Sequence, residues 1–221
     1  MTHAAGQARP PWRERLAFHA VMLGAMALLA SAALTFGNRF TAPDIRDRYA
    51  EDLRASLRQV IPSDAHDNDL LQHTVTVNDS DGRPVHVYVA TKEGKTTAVA
   101  FQKVGQGYGG PIHLMLGVDR DGRLLGVRVI SHSETPGLGD NIELSKTDWI
   151  LGFNGLSLAN TPEKEWHVKK DGGRFDQFSG ATITPRAVVK AVHEGLEFFA
   201  RYRTRLLNDA SPLAPVKGGT S

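Results

Sequence analysis

The chain has 221 residues, a length that fits one globular domain with an appendage. Lys and Arg total 26 against 24 Asp and Glu, so the formal net charge is +2 and a dedicated nucleic-acid binder is disfavoured, while 41% hydrophobic and 23% charged residues exclude a disordered chain. Cysteine is absent, which excludes disulfides, iron–sulfur ligation, thiolate zinc sites, thioether-linked haem and thiol nucleophiles; any redox group must be held in another way.

Residues 1–15 form a short leader, and residues 16–38 (LAFHAVMLGAMALLASAALTFGN) contain no Asp, Glu, Lys or Arg. As a helix this run spans roughly 34 Å, enough to cross a bilayer core. Gly24, Ala25, Ala27, Ala30, Ser31, Ala32 and Ala33 are small residues of the kind common in membrane helices. Arg9, Arg13 and Arg15 precede the run, opposed by Glu14 alone, and the positive-inside rule then keeps the N-terminus cytoplasmic and exports the rest. Arg39, Arg46 and Arg48 behind the run weaken that asymmetry. Ala30-Ser31-Ala32 also resembles a signal-peptide cleavage site, but the run is longer than a signal core. A buried helix of a soluble protein is not expected at the extreme N-terminus with no polar face. The expectation is a retained transmembrane anchor over 16–38.

Residues 39–69 read as a helical connector, in which Ile45, Tyr49, Leu53, Leu57 and Ile61 make one apolar stripe that Pro62 ends. From residue 70 the period becomes two: Val75 and Val77, a DSDGRP turn over 79–84, then Val85, Val87 and Val89. Gly94-Lys95 marks another turn before a strand through Ala98 and Ala100. A strand over 112–118 returns through Asp121-Gly122, a strong hairpin signal, to a strand over 124–130 with Leu125, Val127 and Val129 on one face. A short helix over 144–153 carries Trp149 and Phe153, a short strand covers 166–169, and a helix over 185–207 buries Val188, Val192, Leu196 and Phe199. Residues 208–221 are a Pro-, Gly- and Ser-rich tail. Strand runs followed by helices predict an α+β fold: a single N-terminal transmembrane helix, then one domain over 70–207 with an antiparallel sheet and flanking helices.

Three segments could carry chemistry. Residues 105–111 (GQGYGGP) could expose backbone N–H groups or admit a flat ring, although short glycine patterns like this more often form loops without a ligand. Residues 131–142 (SHSETPGLGDNI) form a long punctuated loop; His132 and Glu134 lack the spacing of a metal site, so no metal is expected, and Leu138 could pack on an apolar ligand face. Residues 169–185 (KKDGGRFDQFSGATITP) place Ser179, Thr182 and Thr184 just before the helix that Pro185 begins, with Thr184 as its expected cap. The free amides and positive dipole end of a helix make a natural phosphate site, and Lys169, Lys170 and Arg174 could add charge. A capped helix after a turn explains Thr184 and Pro185 without any ligand, but not the small pair Gly180-Ala181, which clears space beside Thr182. No hydrolase-type elbow surrounds Ser179, and no catalytic nucleophile is assigned.

The segment DQFSGAT, residues 176–182, resembles the acceptor motif for covalent FMN, in which the Thr after Gly-Ala is esterified by the flavin phosphate. SETPGLGDNIE, the Trp149 segment, WHVKKDGGRFDQFSGATITPRAVV and the N-terminal apolar run follow in the order found in the G subunit of Rnf/Rsx electron-transport complexes. The C subunit of the sodium-pumping NADH:quinone oxidoreductase is similar at greater distance. The resemblance covers the chain from about residue 16 to the C-terminal helix. It implies a single-pass protein of the bacterial inner membrane, N-terminus cytoplasmic, with a periplasmic FMN-binding domain. It further implies FMN attached to Thr182 by a separate FMN transferase, surrounding membrane lipid, and partner subunits of a complex coupling electron transfer to ion translocation. The chain would carry electrons without being an enzyme in isolation. Beside the resemblance, a physical reading expects Ser133, Glu134, Thr135 and Leu138 around the flavin ring and Lys169 near phosphate or a ring oxygen, with Ser179, Gly180, Ala181 and Thr184 also binding the cofactor. The competing reading is a membrane-tethered, non-redox assembly or binding module whose glycine-rich loops contact another subunit.

Overall fold

A computed structural model describes residues 11–79 and 82–208, with side chains placed for 18–36, 51–79 and 82–208. The first ten residues of the leader, Ser80 and Asp81 of the DSDGRP turn and the tail from 209 onward lie outside the described residues. The chain divides into two units, Met1–Glu51 and Asp52–Ser221.

In the first unit the described chain is helical, the start of α1 (Pro11–Val60). Within it Phe18–Phe36 has a mean hydropathy of 1.8 and is long and apolar enough to cross a membrane. All of its side chains are exposed.

The second unit is built on a five-stranded antiparallel sheet in simple sequence order: β1 (Thr74–Asn78), β2 (Pro84–Lys92), β3 (Lys95–Gln106), β4 (Pro111–Asp119) and β5 (Leu124–Ser131). Turn chemistry sets this meander. Glu93 and Gly94 both take positive φ, 52° and 73°, between the paired Lys92 and Lys95, as a two-residue hairpin turn requires. Asp119 Oδ1 accepts from the amides of Asp121 and Arg123, both at 2.8 Å, and closes the β4–β5 turn around Gly122 at φ 84°.

The alternation of the strands sorts two faces. Val99, Phe101, Leu114 and Leu116 point to one side, where α2 (Ile183–Asn208) buries Val188, Val192, Leu196 and Phe199 on them, the stripe its sequence predicts. Phe101 and Phe198 meet at 5.1 Å between ring centres. Ala98, Ala100 and Met115 point to the other side and are covered by Leu57 and Val60 at the end of α1 and by Ile61 just after it. Each such large side chain contributes about 1.5–3 kcal/mol on burial, so both faces stabilise the sheet. Leu53 packs against this second cluster, as the predicted connector stripe requires; the side chains of Ile45 and Tyr49 lie outside the described residues. The last turn of α1 sits close to the sheet at Gly117 and Gly126, which face each other across β4 and β5; a Cβ at Gly117 would strike the Val60 carbonyl.

Two predicted elements differ. The helix expected over 144–153 is a 3-10 segment, Asp148–Phe153, with Thr147 Oγ1 accepting from the Trp149 amide at 3.2 Å. The strand expected over 166–169 is a single bridge, Val168 with Phe175, between the 3-10 turns Glu163–Glu165 and Lys169–Asp171. The chain doubles back there too tightly for a ladder: Gly172 has φ 83°, and Gly173 lies where any Cβ would overlap His167 backbone.

Candidate functional site

Three loops from separate parts of the sequence meet at one end of α2. They are the β3–β4 connection at Tyr108, the loop after β5 at Glu134–Gly139, and the segment Gly180–Thr184 that runs into the helix. Together they enclose an open cleft of about 340 Å³.

Glu134 is the post between them. It is only 5% exposed, and its carboxyl group accepts from the amides of Gly109 (2.9 Å) and Tyr108 (3.3 Å) and from the hydroxyl of Thr184. Two glycines make room for it. A Cβ at Gly139 would stand 2.8 Å from Glu134 Cβ, and one at Gly107 would overlap the carboxyl group. Gly109 in turn lies under the Ser133 carbonyl, where no side chain fits. Gly107 and Gly139 are therefore a packing requirement of one buried acid, and Gly109 of the backbone that precedes it.

Behind Glu134, its amide donates to His132 Nδ1 at 3.0 Å. The ring proton therefore belongs on Nε2, which donates to Glu143 Oε1 at 2.8 Å, and the Ser145 hydroxyl donates to Oε2 at 2.9 Å. The hydrogen bonds from His132 and then Ser145 hold the Glu143 carboxyl below its ordinary range.

The helix begins at Ile183, two residues before the expected Pro185, so Thr182 and not Thr184 occupies the flanking cap position. Thr184 is inside the first turn, fully buried on Glu134. Pro185 falls in that first turn, where its missing N–H costs no bond. Phe178 to Ala181 forms a tight turn, with the Ala181 amide donating to the Phe178 carbonyl at 3.3 Å and Gly180 at φ 79°. Gly180 is thus demanded by the backbone of the turn, which hands the chain to Thr182.

The turn is fixed from both sides. Trp149 packs edge-on against Phe178 at 5.1 Å and donates from Nε1 to the Asp176 carbonyl at 2.8 Å. Arg186 forks onto Asp171 (2.6 and 2.9 Å) and reaches the Thr182 carbonyl at 3.2 Å. The Asp171–Arg186 hydrogen bonds lower the pKa of the acid and raise that of the base.

Of the residues singled out in the sequence, Glu134, Thr135, Leu138, Gly180, Ala181, Thr182 and Thr184 line the cleft together. Ser133, Ser179 and Lys169 do not line it. Ser133 roofs Gly109 with its carbonyl, Ser179 is exposed at the turn, and Lys169 pairs with Asp176 at 2.6 Å. Tyr108, Gly139 and Ile183, which lie in the three segments marked in the sequence but were not singled out as site residues, complete the lining. Tyr108 is 75% exposed, and its signal in the sequence was a lone aromatic between glycines. Among the described residues no His, Cys, Asp and Glu grouping could hold a metal ion.

Comparison with known proteins identifies the family. An FMN-binding domain family model matches residues 107–197, which hold all the residues lining the cleft. The chain is 51% identical over 197 residues to the G subunit of the ion-translocating oxidoreductase complex of Stutzerimonas stutzeri, covering 89% of this chain and 86% of that one. It is 49% identical over 204 residues to the G subunit of the same kind of complex from Cereibacter sphaeroides, covering 92% of each. Among solved structures, Shewanella oneidensis NqrC matches with 25% identity and a TM-score of 0.45 over 66% of this chain and 73% of that one. With half its residues identical over nearly the full length of these relatives, and an FMN-binding domain around the cleft, the chain belongs to the G-subunit family of ion-translocating oxidoreductase complexes.

Proposed function

We propose that the protein is an electron-carrying subunit of a membrane complex that couples electron transfer to ion translocation, with FMN joined through its phosphate to Thr182 Oγ1. The observation that carries this reading is the place of Thr182: partly exposed, on the rim of the cleft, and immediately ahead of the 26-residue helix α2. The first amides of that helix have no acceptor within it, and its positive dipole end favours an esterified phosphate. Ala181 and Gly180 keep the approach to the hydroxyl narrow in side chains. The cleft volume of about 340 Å³ is in the range of small-molecule sites, which run from about 300 to 1,000 Å³. The exposed Tyr108 and Leu138 offer flat and apolar surface for a ring, with Thr135 beside them.

FMN, when bound, supplies the transfer of one or two electrons. The chain's residues do the holding. Thr182 would anchor the phosphate, and the first amides of α2, at Ile183 and Thr184, would be available to hold it. Glu134 commits its hydrogen bonds to Gly109, Tyr108 and Thr184, so its role is to hold the walls of the cleft in place. Ser179 and Gly180 present Thr182 through the turn, and Lys169 steadies the segment through Asp176. Ser133 acts through its carbonyl over Gly109.

A separate FMN transferase makes the ester, as the resemblance to the G-subunit family implies. Phe18–Phe36 lies in lipid of the bacterial inner membrane, with the N-terminus cytoplasmic behind Arg9, Arg13 and Arg15 and the domain on the opposite side. The test is intact mass and in-gel flavin fluorescence of the full chain co-expressed with a flavin transferase. The wild type gains an FMN-sized increment on the Thr182 peptide and Thr182→Ala does not. A fluorescent band that survives denaturing electrophoresis of Thr182→Ala overturns the attachment.

A further inference from the structure

Away from the cleft lining, a groove of about 390 Å³ runs between Gln59 in the last turn of α1, the end of β5 from Arg128, and Leu144. β5 is an edge strand. Its first residue is closed off by Leu156 and Gly155, which exchange backbone bonds with Leu124 at 2.8 and 2.7 Å. Among the described residues no further backbone bond reaches that outer edge. The pairing with β4 slips at His113/Leu114, opposite Ile130, so the edge is irregular there and unsuited to adding a regular strand.

Arg128 is the unusual group in this groove. Its Nη1 donates to the Val127 carbonyl at 2.7 Å, but its Nε is buried with no partner. Among the described residues no carboxylate forms an ion pair with it, and burial lowers its pKa. An unsatisfied, partly desolvated guanidinium is costly by itself and is shaped for a carboxylate or phosphate fork. Beside it, Ile130 and Leu144 are 38% and 39% exposed. An arginine among exposed aliphatics is the composition of an interface anchor point.

We propose that this groove docks another subunit of the complex, which inserts an acidic side chain against Arg128 between Ile130 and Leu144. The inference rests on the reading of the chain as a complex subunit. Charge complementarity fixes the sign of the inserted group. A lipid headgroup would bring two acyl chains, and two half-exposed side chains offer them little apolar surface.

The test uses the purified complex containing the full chain, with a benzophenone amino acid replacing Ile130 or, separately, Leu144. Illumination is expected to join either position to a segment of another subunit that contains an Asp or Glu. Arg128→Glu should lower both that cross-link and the amount of this chain retained in the complex by about tenfold or more. Exchanging the cross-linked acid for Arg should restore both in the Arg128→Glu background. If Arg128→Glu fails to fold, as judged by thermal unfolding, Arg128→Leu keeps the stem and should give the same loss. Cross-links only to lipid, only to a second copy of this chain, or to nothing overturn the proposal, as does full retention of the folded variants. Normal flavin attachment without a cross-link refutes the groove alone, and a cross-link in a chain without covalent flavin refutes the attachment alone.

Discussion

Glu134→Ala isolates the post that joins the three loops. The substitution removes the acceptor for the Gly109 amide at 2.9 Å, for the longer Tyr108 bond at 3.3 Å, and for the hydroxyl of fully buried Thr184. The buried Thr184 hydroxyl left without a partner costs about 1–3 kcal/mol, whereas Tyr108 and Gly109 are exposed residues whose amides water can reach, so each of those bonds costs about 0.5–1 kcal/mol. The lost methylene and carboxyl also leave a void against Gly107 and Gly139, which have no side chains to fill it. The sum is about 3–5 kcal/mol, a large share of the roughly 5–15 kcal/mol that stabilises a domain. At roughly 2–4 °C per kcal/mol, Tm should fall by about 6–20 °C. Glu134→Gln keeps the shape: its carbonyl accepts from Gly109, its NH₂ donates to a Thr184 hydroxyl turned to accept, and only the long Tyr108 bond, which shares that second oxygen, is lost. That variant should lose only about 1 kcal/mol. The assay is thermal unfolding of the full chain in detergent, read beside in-gel flavin fluorescence. Alanine and glutamine variants that agree within about 0.5 kcal/mol would refute the argument.

Four further outcomes follow from the same contacts. Thr182→Ala should carry no covalent flavin by mass. Gly139→Ala puts a Cβ 2.8 Å from Glu134 Cβ and 3.1 Å from Thr184 Oγ1, so it should lower both Tm and flavin incorporation, whereas Gly152→Ala, with nothing within 4 Å, should shift Tm by little. Gly117→Ala drives a Cβ into the Val60 carbonyl, backbone that has no rotamer to yield, and should cost about 1–3 kcal/mol in denaturant unfolding; an unchanged midpoint would remove the close contact between α1 and the sheet. The Glu143 carboxyl is depressed below its ordinary value of 4.5 by His132 and Ser145. Its contribution is therefore present above that value and lost as pH falls through the lower folded one. In Glu143→Gln the Tm difference between about pH 6 and pH 3.5 should shrink, and an undiminished difference contradicts the assignment.

Much of the fold was legible because it depends on periodicity and turns. The alternating valines of β1 and β2, the Asp121-Gly122 turn and the Val188–Phe199 stripe each state a local preference that the fold obeys. The segments between Asp148 and Phe175 depart from their local pattern because their form is set elsewhere. Trp149 and Phe153 have the spacing of a helix, but their rings pack on Phe175, so aromatic packing and the Gly172 reversal decide the backbone. The start of α2 moves for a similar reason: Pro185 and Thr184 look like a first residue and its cap, whereas Thr184 is committed to Glu134, fifty positions away in the chain.

By itself the sequence determined the apolar run, the meander, the amphipathic final helix, the lack of any thiol chemistry and a Thr after Gly-Ala at a helix start. These are properties of neighbours in the chain, or of composition. Only the tertiary structure decided that Tyr108, Glu134 and Thr182 share one cleft, that Glu134 is a buried post, that Lys169 is held by Asp176, and that Arg128 is left with a buried, unsatisfied Nε. The reason is physical. Hydrogen-bond partners and burial depend on distances between loops that the sheet and α2 bring together, and no local pattern of residues encodes those distances.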